Sequence, residues 1–191
     1  MRRRPDNNRT PRPATKAAPD LGFWHNKGPV LRFGATFALL MAAYYAVAAT
    51  QTFDQALYRV LRWNAVASAG LLNLVGQGCT VAATSVRSGR FAVNICRGCD
   101  AVEPAWFFCA AVLAFPAAWR QKLKGVVLGS LAIGVVNLVR ISSLFLVGVY
   151  FPGSFQTIHL EVWPAGLIIL ASLMWVSWIA WVRRPSSDAS D

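Results

Sequence analysis

The sequence predicts an all-α polytopic membrane protein. It should have about four transmembrane helices, one further helix lying at the interface or packed on the bundle, and a short exported β-hairpin. Three observations lead there. The 191 residues are 55% hydrophobic and only 14% charged, with eight Trp and eleven Phe. The apolar residues fall into long uncharged runs, and a bilayer-spanning helix needs about 20 such residues. The net charge is +11, yet the Lys and Arg residues sit mostly in tails and short loops, as membrane topology requires. A nucleic-acid-binding protein would present a basic face on a folded soluble domain; no such face is visible, so nucleic acid is not an expected partner.

Residues 1–29 are basic, Pro-rich and poor in aliphatics. They cannot bury enough surface to fold alone, and read as a disordered cytoplasmic tail. The early Arg run is not followed by an apolar stretch and cleavage site at signal-peptide distance. Residues 30–182 form the membrane-embedded domain, and 183–191 a second cytoplasmic tail. Within the domain, 33–53 is uncharged and reads as a span. Residues 54–78 are apolar but broken by Arg59, Arg62, Asn64, Asn73 and Gln77, which suits an interfacial or packed helix better than a span. In 79–95, Val, Thr and Phe cluster around Ser88-Gly89, the pattern of a hairpin with a Gly-containing turn. Open strands cannot face lipid, so it lies outside the hydrocarbon. Residues 104–119 read as a short second span kinked at Pro116, 125–149 as a third span containing Arg140, and 162–182 as a fourth.

Thirteen of the nineteen Lys and Arg residues fall in the N-terminal flank, the 120–124 loop and the C-terminal tail. With four spans these segments share the cytoplasmic side. Cys79, Cys96, Cys99 and His159 then fall on or near the exported face.

Arg140 is the most informative single residue. An arginine well inside a span costs at least roughly 2.5 kcal/mol on the insertion scale, and such residues face a bundle interior or a water-filled cavity. Asn137 and Ser143 lie three residues to either side, on the same helical face. His159 ends the exported loop, where an imidazole can act as a base near neutral pH. Cys99 precedes Pro104, a residue suited to the first turn of a helix. A helix N-terminus and a nearby cation both favour the thiolate, so Cys99 is placed as a nucleophile. Cys109 reads as a packing residue, and Cys79 as structural or as a disulfide partner of Cys96.

Three chemistries compete for the C-x-x-C pair, Cys96 and Cys99. Zinc needs three or four converging ligands, and no second C-x-x-C is present; no metal or other cofactor is expected. A membrane thiol–disulfide oxidoreductase would use both cysteines as a redox pair, but it leaves Arg140 and His159 idle. A single nucleophile, Cys99, served by a base and a cation from neighbouring helices uses all three unusual residues. A non-catalytic membrane scaffold would leave each of them replaceable.

The segments "GCDAVE", "AFPAAWRQKLKG" and "NLVRISSLF", followed by a histidine before the last span, resemble the exosortase/archaeosortase family, closest to the small exosortase H type. The match covers roughly residues 99–182. The resemblance implies a membrane-embedded cysteine protease/transpeptidase of the bacterial inner membrane with its site toward the exported face. Its substrates would be exported proteins bearing a C-terminal sorting signal: a short motif, a transmembrane helix and a basic tail. It carries the nucleophile onto Cys99, the arginine onto Arg140 and the histidine onto His159. It implies a Cys99 thioester resolved by water or by a surface glycan or lipid acceptor. Asn137 and Glu103 are supporting candidates; Asp100, Glu103 and Glu161 are candidates to orient His159. One departure is visible. The family commonly has Cys-x-Gly at the nucleophile, whereas Cys99-Asp100-Ala101 lacks the glycine and Cys96-Arg97-Gly98 has it. Cys99 is favoured because "VE" and the distances to "VLAFP" and "NLVR" fit that frame without gaps.

Overall fold

The computed structural model describes residues 28–184. The two expected tails therefore lie almost wholly outside the described residues. Three helical stretches are long and apolar enough to cross a membrane: Gly28–Ala48, Trp119–Tyr150 and Pro152–Val182.

Helix α1 (Gly28–Ala48) carries no acidic residue in its first turn and buries almost nothing on its own. It starts five residues earlier than the expected span and stops before Thr50. Thr50 Oγ1 accepts from the Phe53 backbone N–H at 3.3 Å and caps α2 (Gln51–Leu74), with Asp54 in the first turn where the helix dipole favours an anion. Helix α2 is amphipathic. Leu57, Ala65, Ser68, Ala69 and Leu72 bury one stripe, while Trp63 and Leu74 stay exposed. It is not among the helices apolar enough to span, and it packs on the long helix described below, as its polar interruptions suggested.

Where one hairpin was expected the chain forms a three-stranded antiparallel sheet, β1 (Thr80–Ala82), β2 (Ser85–Arg87) and β3 (Ala92–Asn94). Val81, Val86 and Val93 are in register across it. The Ser88-Gly89 turn is the second of its two connections; the first bends at Ala83, at φ 55°, which nothing in the composition announced. Asn73 ties the sheet to the end of α2: its Oδ1 accepts from the Cys79 N–H, and its Nδ2 donates to the Cys79 carbonyl at 3.0 Å.

Helix α3 (Val102–Ala114) is shorter than the expected span over 104–119. Its 13 residues reach only about 20 Å, because Phe115 leaves the helix in an extended conformation ahead of Pro116, and the residue before proline disfavours the helical region. Helix α4 (Trp119–Tyr150) has 32 residues, about 48 Å, more than the ~30 Å of hydrocarbon. A 3₁₀ turn (Pro152–Ser154), one α turn (Phe155–Thr157) and a π turn (Ile158–Val162) then lead into α5 (Trp163–Val182).

Helix α4 joins two cores. Near its C-terminal end Ile141 and Phe145 pack with Ala65, Ala69 and Leu72 of α2 and with Val86 of the sheet. Nearer its start Ile133 packs with Phe108, Val112 and Trp178. Glycines let the rings close in: a Cβ at Gly129 would overlap the Phe108 ring, and one at Gly125 the Trp178 indole. The far end is basic and aromatic. Lys122 donates to the Leu113 carbonyl at 2.7 Å, Lys124 lies over the Trp181 ring, and Arg183 over Phe115.

The glycine contacts predict a paired result. Gly129→Ala should lower stability in detergent by about 1–3 kcal/mol through overpacking. Gly134→Ala, whose added methyl meets nothing within 4 Å, should not. Thermal melts of the two variants make the comparison.

Candidate active site

The residues from Cys96 to Ala101 form a tight strap between β3 and α3. The Cys99 N–H donates to the Cys96 carbonyl at 2.9 Å, closing a β-turn whose third residue, Gly98, has φ 90°, a conformation glycine adopts at little cost. The next three carbonyls are each taken by a side chain from another helix. Arg140 Nη1 donates to Gly98 O at 3.2 Å, Asn137 Nδ2 to Cys99 O at 3.0 Å, and Asn64 Nδ2 to Asp100 O at 3.4 Å. Asn137 is 0% and Arg140 5% exposed. On the outer side Arg97 donates to the Ala48 carbonyl at 3.2 Å and pairs with Asp54. The strap is thus tied to α1, α2 and α4.

Asp100 completes it. Its carboxylate accepts from the Gly98 N–H at 3.1 Å and from the Val102 N–H at 2.7 Å. The α3 N-terminus therefore gives its Val102 N–H to Asp100, not to the Cys99 sulfur. The thiol responds accordingly: burial pushes the Cys99 thiol up from its ordinary value, outweighing the Arg140 charge that pulls it down. At neutral pH Cys99 rests as a thiol and needs a base to become a nucleophile.

An imidazole lies beside the thiol. His159 Nε2 lies 3.6 Å from Cys99 Sγ, across 60 residues of chain. It arrives on the π turn Ile158–Val162; π turns insert an extra residue and recur at functional sites. An aromatic series holds it. The His159 ring packs on Phe155 at 5.5 Å, Phe155 on Phe91 at 5.6 Å, and Phe91 on Phe145 at 5.7 Å. Gly148 leaves the room that Phe91 fills.

The remaining candidates fall elsewhere. Glu103 accepts from the Tyr45 hydroxyl at 2.7 Å, Asp100 is the strap's own cap, and Glu161 is exposed; none is bonded to His159. Ser143 returns its hydroxyl to the Arg140 carbonyl at 2.9 Å. All four cysteines are free: Cys96 is exposed, and Cys79 and Cys109 are buried in the two cores. Among the described residues no three His, Cys, Asp or Glu side chains are grouped as metal ligands. Among the described residues Arg140 Nε and Asn137 Oδ1 are buried without a partner, an unspent donor and acceptor near the strap. Asn64, Phe91 and Phe155 were missed from the sequence. Asn64 carried a signal, an amide inside an apolar stretch; the two phenylalanines carried none.

Ala101 sits at φ 60°, ψ 10°, the left-handed region that costs a non-glycine residue roughly 1–2 kcal/mol. This is the position where Cys-x-Gly would place its glycine. Gly98, two residues after Cys96, also lies at positive φ, so both cysteines are followed by this backbone shape.

Comparison with protein-family models, with curated proteins and with solved structures returns no match to this chain.

Two outcomes follow. Ala101→Gly should raise stability or leave it unchanged, whereas the β-branched Ala101→Val should lower it by more than about 1 kcal/mol. In a Cys96→Ala background, iodoacetamide labelling of Cys99 should climb with pH and level off only above the ordinary thiol range of about 8.5, because burial holds the proton on. Arg140→Gln should move that midpoint higher still. A plateau near neutral pH, read by peptide mass mapping, would contradict the buried-thiol assignment.

Proposed function

We propose that this chain is a membrane-embedded cysteine peptidase or transpeptidase of the exosortase type. It cleaves the C-terminal sorting signal of exported proteins in a bacterial inner membrane. The observation that carries the reading is the meeting of Cys99, His159 and Arg140 at one strap, from three separate parts of the chain. A nucleophile facing a base, with a cation close by, is the arrangement covalent acyl transfer needs.

The substrate's tail helix lies in the bilayer and presents its motif at the strap. His159 Nε2 takes the proton from the Cys99 thiol as the sulfur attacks the scissile carbonyl. The Arg140 charge, already felt by the Cys99 sulfur, stabilises the developing oxyanion and holds the Gly98 carbonyl so that the turn does not recoil. The proton on His159 passes to the leaving amine, and a thioester remains on Cys99. Water resolves it as proteolysis, or a surface glycan or lipid amine as transfer. Asn137 is a positioning residue, acting through the Cys99 carbonyl.

Topology supports the same reading. The basic residues Arg120, Lys122, Lys124, Arg183 and Arg184 gather at the end of the bundle away from Cys99, and the positive-inside tendency assigns that end to the cytoplasm. From Trp119 to Arg140, α4 climbs about 32 Å, close to one hydrocarbon thickness. On this reading the site lies at the exported interface.

A thiol–disulfide oxidoreductase is the second reading, because the Cys96–Cys99 turn holds two free thiols three residues apart. Two substitutions separate the readings. Cys99→Ala should abolish removal of the tail from an exported substrate, at least about 10³-fold, and Cys96→Ala should leave it within a few-fold of the unmodified chain. Equal loss in both, read as substrate size on an immunoblot, favours the redox pair.

A further inference from the structure

Between α4 and α5 runs an apolar groove of about 660 Å³. Leu128 and Leu173 stand on its two walls, and Phe108 and Trp178 line it between them. Lys124 and Trp181 also line it, where the Lys124 ammonium lies 6.0 Å from the centre of the Trp181 ring. Both helices are long and apolar enough to cross a bilayer. A groove on such helices opens onto hydrocarbon, where packing is the only attraction on offer. An acyl chain is the solvent of that region and fits its lining.

We propose that this groove is a binding site for an anionic phospholipid, with an acyl chain along the groove and the headgroup phosphate at Lys124. Charge selects the headgroup. Among the described residues no Asp or Glu lines the groove. Arg120 adjoins Lys124 along α4, and Arg183 and Arg184 follow Trp181. The single salt bridge among the described residues, Arg97 to Asp54, lies at the other end of α1. A basic pocket between membrane helices attracts a lipid headgroup phosphate. The same charge disfavours two other occupants. A substrate helix with a basic tail would bring cations to cations, and so would a second copy of this chain related by an axis along the membrane normal. The site lies about 24 Å along α4 from Arg140 and does not rest on the proposed activity.

The test uses the full chain in detergent, given equal phosphatidylglycerol and phosphatidylcholine of identical chains, with native mass spectrometry counting retained lipid. Phosphatidylglycerol should be retained preferentially. Lys124→Gln should reduce that preference by about fivefold. Leu173→Trp, on an exposed residue that can fill the groove without touching the core, should release both lipids while the melting temperature is unchanged. Equal retention of the two headgroups, or a preference that neither variant moves, would overturn the proposal and leave only an annular belt. Cross-linking of two chains through Leu128→Cys with no retained lipid would overturn it in favour of an interface between copies.

Discussion

Three consecutive carbonyls, those of Gly98, Cys99 and Asp100, each need a hydrogen-bond partner in a partly buried position. Asn64, Asn137 and Arg140 supply them. Buried peptide groups left without partners are costly, so this one constraint explains the amides and the guanidinium at these three positions. The insertion cost of Arg140 is partly offset because its guanidinium is buried in the bundle and donates to the Gly98 carbonyl rather than facing lipid. Without the three donors the strap has no fixed position, and neither does the sulfur on it.

The strap stands where the two cores of the molecule meet. Helix α4 sets the levels: Ile133 belongs to one core, Ile141 and Phe145 to the other, and Asn137 and Arg140 fall between them. Because α3 is short, its N-terminus and the strap before it rest at the depth of Arg140, partway along α4. Asp100 caps that N-terminus, and burial holds the proton on the Cys99 thiol. His159 comes from the least regular stretch of the chain, and its position depends on ring packing through Phe155, Phe91 and Phe145. The left-handed Ala101 stores strain at the same place, in keeping with the way strained backbone collects at working sites.

Much of this was legible in the residues. The uncharged runs give the long helices, and the arginine expected inside the third span is buried and hydrogen-bonded within the bundle, as a charge there requires. The three-residue step from Asn137 to Arg140 gives their common face. Other features were not legible. Whether 104–119 spans could not be read from hydropathy, since the extended break at Phe115, not composition, ends α3. The third strand escaped notice because strands of three residues leave little period to detect. The environment of Cys99 was read as thiolate-favouring from two local cues, a helix start and a cation. The burial that outweighs them is a tertiary fact, set by the packing of Cys99 against the α2–α4 core. Glu103, a candidate to orient His159, instead accepts from Tyr45 on α1.

The central claim is that Cys99, held by the strap and deprotonated by His159, forms a covalent bond to its substrate. The direct measurement is intact-mass and peptide analysis of the purified protein quenched during turnover of a tail-bearing substrate. The account predicts an acyl adduct on Cys99 that hydroxylamine removes, as a thioester requires, and no adduct when His159 is replaced by alanine. Substrate processed normally with no adduct on Cys99, or with the adduct on Cys96, would contradict it.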